Sequence, residues 1–113
     1  MTQVTSHGGA AFEVQAGERS RLSGALHFTT VGPLLEQGQV AINDGRAALI
    51  DLSSVSESDS AGLALLIEYL SIAKQANRAL HYENIPEQLQ ELARLSEVEP
   101  LLTGGTSQPV RTG

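Results

Sequence analysis

The chain has 113 residues, with 7 Lys and Arg against 13 Asp and Glu, giving a net charge of −6 at pH 7. That acidic balance repels phosphate backbones and anionic headgroups, which argues against nucleic acid as a partner and against direct binding to a charged bilayer. The absence of cysteine excludes disulfides, thiolate catalysis and Cys-ligated zinc, and two Tyr, two Phe and no Trp require an aliphatic core.

The opening, MTQVTSHGGA, has neither a basic n-region nor an apolar h-region, so no signal peptide is expected, and residues 1–9 read as a disordered lead. AFEVQAG alternates, with Phe12 and Val14 on one side of a strand and Glu13 and Gln15 on the other. Gly17 permits a turn, and RSRLSGAL follows as a second, shorter strand, the hairpin partner. FTTVGPLLEQGQVAI reads as a helix capped by Thr29 or Thr30, with Pro33 in the first turn and Gly38 weakening its interior. NDG at 43–45 is a turn.

AALIDL, 47–52, is a continuous apolar run and predicts a central strand buried on both faces. The polar stretch SSVSESDS then reads as a loop. The longest helix begins near Ser60 and runs to about Asn77. RALHYEN is another strand, and PEQLQELARL is a helix with Pro in its first turn. VEPLL closes the core, and TGGTSQPVRTG, 103–113, reads as a disordered tail. The expectation is a single α/β domain over 10–102, a small mixed sheet with helices packed on it, in the order β-β-α-β-α-β-α.

On the longest helix, Ala61, Leu65, Leu66, Tyr69, Leu70, Ile72, Ala73 and Ala76 form a broad core arc. Glu68, Ser71, Lys74 and Gln75 fall on the solvent arc. Ala64 and Ile67 do not suit that arc, yet they align with Ser60 and Ser71 at i, i+4, i+7 and i+11. Scattered exposed apolar residues are ordinary. A small face headed by a serine is also what a docking surface for another protein looks like. Ser58 or Asp59 can cap this helix, and in the plainest reading SDS is a capping sequence alone. In the sharper one Ser60 is a recognised or regulated hydroxyl, where a phosphate would meet the helix dipole and its neighbour Asp59.

Catalytic signatures are missing. There is no P-loop sequence, and His7, His27 and His81 lack metal-ligand spacing. Ser60, His81 and Asp51 make a triad on paper only, without a nucleophile elbow. Asp51 is expected to brace the loop before Ser60. No enzyme activity and no cofactor are expected.

LSGAL at 22–26, ALIDLSSV at 48–55 and DSAGLALL at 59–66 resemble the STAS domain family of sulphate transporters and anti-sigma factor antagonists. The resemblance covers nearly all of the folded part. It implies the STAS fold and two alternative roles. In the antagonist branch, the serine matching Ser60 is phosphorylated by a partner serine kinase, which blocks binding. In another branch, a small free-standing STAS protein is the cytoplasmic accessory subunit of a phospholipid ABC transporter that maintains outer-membrane lipid asymmetry. There the domain binds the ATPase subunit, in one complex with a membrane permease and a substrate-binding subunit, and the residue matching Ser60 lies at the contact.

GLALLIEYLSIAKQANRAL and LQELARLSEVEPLL are more similar to the transporter branch, and Ser58 stands where antagonists carry an apolar or aromatic residue. Ser60 itself is the antagonist spelling, since transporter subunits often have Thr there. The partner-binding residues expected are Ser60 first, then Asp59, Ala64 and Ile67. Ala61 and Gly62 allow close approach, Glu57 and Ser58 lie on the adjoining loop, and Ser71 and Lys74 extend the stripe. The transporter reading places the protein at the cytoplasmic face of the inner membrane, held by its partner and not by a span of its own.

Overall fold

A computed structural model describes residues 10–103. The expected lead, 1–9, and nearly all of the expected tail lie outside the described residues. The elements are β1 (Ala11–Gln15), β2 (Arg19–Leu26), α1 (Val31–Asn43), β3 (Leu49–Ser58), α2 (Ser60–Gln75), β4 (His81–Glu83), α3 (Glu87–Leu95) and α4 (Glu99–Thr103).

The sheet order is β1-β2-β3-β4. β1 and β2 form the expected antiparallel hairpin, and β2–β3 and β3–β4 are parallel. Both parallel crossovers step the same way across the sheet. Right-handed connections then put α1 and α2 on one face, where they pack together. One core results. Leu22, Leu26, Ile50 and Leu52 from the sheet meet Leu34 and Ile42 from α1, Leu66 and Tyr69 from α2, Leu89 from α3 and Leu102 from α4.

That arrangement corrects several expectations. β3 is central but is not buried on both faces: Ile50 and Leu52 are buried, while Leu49 and Asp51, which alternate with them, are only half-buried. On the outer face Glu13, Arg21, Asp51 and Glu83 stand in register across the four strands. Arg19 pairs with Glu83 at 2.9 Å and Arg21 with Glu13 at 3.9 Å.

SSVSESDS is mostly strand and not loop, because parallel pairing to β2 continues as far as Leu26 opposite Ser58. β2, at eight residues, is longer than β1 and supplies that partner. The ladder satisfies the backbone whatever the low strand propensity of Ser. β4 shrinks to three residues, and VEPLL contributes to a separate short helix, α4. α2 ends at Gln75, with Asn77 already left-handed at φ 58°. Leu63, omitted from the core arc, is buried.

The α1–α2 packing turns on one close approach. The Tyr69 ring lies against Gly38, where a Cβ would overlap it, and the Tyr69 hydroxyl donates to the Leu34 carbonyl. Phe12 meets the same ring edge-on, with centroids 6.0 Å apart and planes at 74°. Burial pushes the Tyr69 phenol well up, so it remains the donor. Gly38 therefore weakens α1 locally but admits the largest fully buried side chain of the core.

Gly38→Ala should accordingly reverse the usual rule. In an open helix interior the change stabilises by about 1 kcal/mol. Here it should destabilise by about 1–3 kcal/mol through overpacking, measured as a fall in urea midpoint.

Candidate docking surface at the start of helix α2

β3 runs up the sheet and delivers its last residue, Ser58, to the start of α2. Ser58 is buried. Its N–H donates to Gln88 Oε1 of α3 at 2.9 Å, and its hydroxyl to the Asp59 carbonyl at 2.9 Å. A Cβ on Gly62 would overlap the Ser58 hydroxyl and lie 2.8 Å from Leu26 Cβ. Ser58 and Gly62 are both buried and lie beneath the exposed head of α2. Gly62 allows the helix to approach its own strand.

Asp59 is the N-cap. Its Oδ1 accepts the Ala61 N–H at 2.8 Å, and its Oδ2 accepts the Phe28 N–H at 3.4 Å. His27 sits between two carboxylates, with Nε2 3.2 Å from Glu57 Oε2 and Nδ1 3.6 Å from Asp59 Oδ2. Partial burial works to raise the Asp59 pKa, but the N–H groups of Ala61, Phe28 and Gly62, together with the His27 ring, outweigh it and hold the carboxyl below its ordinary 3.8.

Ser60 is exposed at the first position of α2, as are Ala64 one turn on and Lys74 in the last turn. Ile67 and Ser71 are half-buried, and Ile67 packs against the core, so the stripe is less open than its spacing predicts. Ala61 and Ala64 instead line one side of a shallow groove of about 300 Å³. Leu65 and Glu68 complete that side, and Val31, Gly32 and Leu35 of α1 form the other.

The turn between β2 and α1 brings residues that sequence reasoning passed over. Thr30 precedes α1 but does not cap it with its side chain. Its hydroxyl turns back to accept the His27 N–H at 2.8 Å and to donate to the Ala25 carbonyl at 2.9 Å. Phe28, at the tip of this turn, is 81% exposed. Its one sequence signal was its isolation: an aromatic next to polar Thr29, outside any periodic apolar face.

Asp51 is expected from the sequence to brace the segment before Ser60, and its hydrogen bonds to that segment fall at the first residue, Ser53, far from the start of α2. It binds the Ser53 N–H at 2.9 Å, the Ser53 hydroxyl at 3.1 Å and Asn84 Nδ2 at 3.0 Å. The strand from Asp51 to Ser58 puts it roughly 20 Å from Ser60, at ~3.3 Å per residue. His81 pairs with Leu49 at that same distant end. Ser60, His81 and Asp51 are therefore not brought together. Among the described residues, no group of three or more His, Asp or Glu is placed to hold a metal ion.

A family model described as "Mlab, STAS domain" matches residues 13–103. The intermembrane phospholipid transport system binding proteins MlaB of Escherichia coli (strain K12) and of Shigella flexneri are each 33% identical over 82 residues, covering 73% of this chain and 82% of their own. Solved structures share the fold. The anti-sigma factor antagonist SpoIIAA, unphosphorylated, aligns with a TM-score of 0.59 at 17% identity, over 76% of this chain and 82% of its own. The phosphorylated form of SpoIIAA, a Bacillus cell-fate determinant, aligns at 0.62 and 17%, over 83% and 88%. At that identity the likeness shows the fold alone.

Asp59→Ala should lower stability by about 0.5–2 kcal/mol at pH 7. Because the folded-state pKa of Asp59 is depressed, its contribution is present above pH 3.8 and is lost as pH falls through the lower folded value. Urea melts across a pH series should show parent and variant converging at the acid end.

Proposed function

Because the chain belongs to the MlaB type of the STAS domain family, we propose that it is a non-catalytic accessory subunit that docks on the ATPase subunit of a phospholipid ABC transporter. In this reading the ATPase is MlaF-like. A MlaE-like permease and a MlaD-like substrate-binding subunit complete the complex, which serves outer-membrane lipid asymmetry. The chain supports assembly and activity from the cytoplasmic face of the inner membrane. A STAS accessory role in phospholipid transport is supported by the relatives, which are phospholipid transport system binding proteins.

The observation that carries the docking reading is the exposed head of α2. Ser60 stands there next to Ala61, which with Ala64 lines one side of an apolar groove. The groove is small, open and without converging acids, bases or nucleophiles, which suits contact and not catalysis. Ile67, Ser71 and Lys74 extend the contact along α2, with Ser58 and Gly62 beneath it. Among the described residues no helix is long and apolar enough to cross a membrane, and the proposed route to the membrane is the ATPase and its permease.

The exposed Ser60 hydroxyl favours one second reading, an anti-sigma factor antagonist phosphorylated there by a partner serine kinase. A phosphate at that position would gain from the helix N-terminus and be opposed by Asp59 and Glu57.

The tagged chain, purified from its native cells in mild detergent, should bring down an ABC ATPase together with an integral-membrane permease. Ser60→Arg should abolish that recovery with an unchanged melting temperature, since the new side chain projects from an exposed position. Full recovery with the folded variant would remove the docking reading. Recovery of a soluble kinase, with phosphate on Ser60, would establish the antagonist instead.

A further inference from the structure

We infer that Phe28 is the anchor of the docking surface: it inserts into an apolar socket on the partner protein, and that socket is bordered by positive charge. The inference rests on the docking reading above and adds the chemistry of the surface facing it.

Phe28 is 81% exposed, yet it is not on a loose loop. The Thr30 N–H donates to the His27 carbonyl at 2.8 Å and the Val31 N–H to the same oxygen at 3.1 Å, closing the turn that carries the ring. The Thr30 hydroxyl ties that turn to Ala25. Phe28's own N–H is held by the Asp59 carboxylate, the group that caps α2. The backbone that carries the ring is thus held in place, tied to the same carboxylate that caps the helix of Ser60. A pre-ordered aromatic with two side-chain torsions loses little entropy on binding, which is why such residues dominate interface energies.

The charge around the ring selects the partner. Glu57 and Asp59 have side chains 60% and 46% exposed, and Glu68 borders the groove. Among the described residues His27 sits between Glu57 and Asp59, and the Lys and Arg positions lie elsewhere, with Arg46 past the end of α1 and Arg94 paired with Glu99. Arg19 and Arg21 are engaged on the outer face of the sheet, Arg78 donates to the Asn43 carbonyl at the end of α1, and Lys74 is at the far end of α2. A complementary surface is basic around an apolar centre. A second copy of this chain in a two-fold contact would set carboxylate against carboxylate. An anionic bilayer would have to accept Glu57 and Asp59 along with the ring.

The test uses the full chain against the immobilised ATPase subunit recovered with it, at low and high salt. Phe28→Ala should weaken binding by about tenfold or more, with no change in melting temperature because the ring is exposed. Glu57→Lys should slow association and flatten its salt dependence. Parental affinity for Phe28→Ala, with Ser60→Arg still abolishing binding, would overturn the anchor and leave the docking surface standing. Faster association of Glu57→Lys would overturn the basic border. Binding of the parent to vesicles of phosphatidylethanolamine and phosphatidylglycerol, lost in Phe28→Ala, would assign the ring to lipid and overturn the inference. Unchanged binding of both Phe28→Ala and Ser60→Arg would remove the docking reading itself.

Discussion

One carboxylate holds the functional end of this molecule together. Asp59 caps α2 through Ala61, takes the N–H of Phe28 and faces the His27 ring. Three segments meet at that side chain: the end of β3, the start of α2 and the turn from β2 into α1. An N-cap satisfies a helix that would otherwise begin with free N–H groups. Here the cap also fixes a second segment, so the same atoms that start the helix set where Phe28 stands relative to Ser60. The acidity of Asp59 reflects this, since donors from more than one element stabilise its charge.

The other end of the α1–α2 pair is set by packing. Tyr69 enters the space that Gly38 leaves, and its hydroxyl reaches the Leu34 carbonyl. A residue that is poor for helix propensity is thereby necessary for helix packing, a conflict between local and tertiary preference that packing decides. The groove between α1 and α2 lies beside this contact, with Val31 and Leu35 facing Ala61, Ala64 and Leu65 across it.

Much of this was legible in the sequence. Alternation in AFEV, the apolar run ALIDL and the amphipathic stretches gave the layered α/β plan and the helix carrying Ser60. What failed has a common cause. Ser53 to Ser58 looked like loop because hydroxyl residues favour turns locally, yet β2 offers an unpaired ladder and the backbone takes it. The apolar run 47–52 looked buried on both sides, but two same-sense crossovers leave one face of the sheet to ion pairs. Crossover direction is a property of the whole topology and is not written in any one strand. At the site, the spacing of Ser60 and Ala64 was readable from helical geometry. Phe28 was not, because its neighbourhood with Asp59 joins residues far apart in the chain and depends on a turn stabilised by Thr30.

β3 is supported unequally along its length. From Leu49 to Asp51 it lies between β2 and β4; from Leu52 onward no strand among the described residues flanks it on the β4 side, and at Ser58 the side chain of Gln88 accepts the N–H that a further strand would otherwise take. The outer half of the strand is therefore paired on one side only, to β2 as far as Ser58, and on the other side is tied to α3 by one amide. A displacement of the tip toward or away from α3 is opposed there by that single hydrogen bond, while the root is paired on both sides. A protein that presses on the start of α2 thus meets a mount with some give, and the path of that give leads into α3 and not into the sheet.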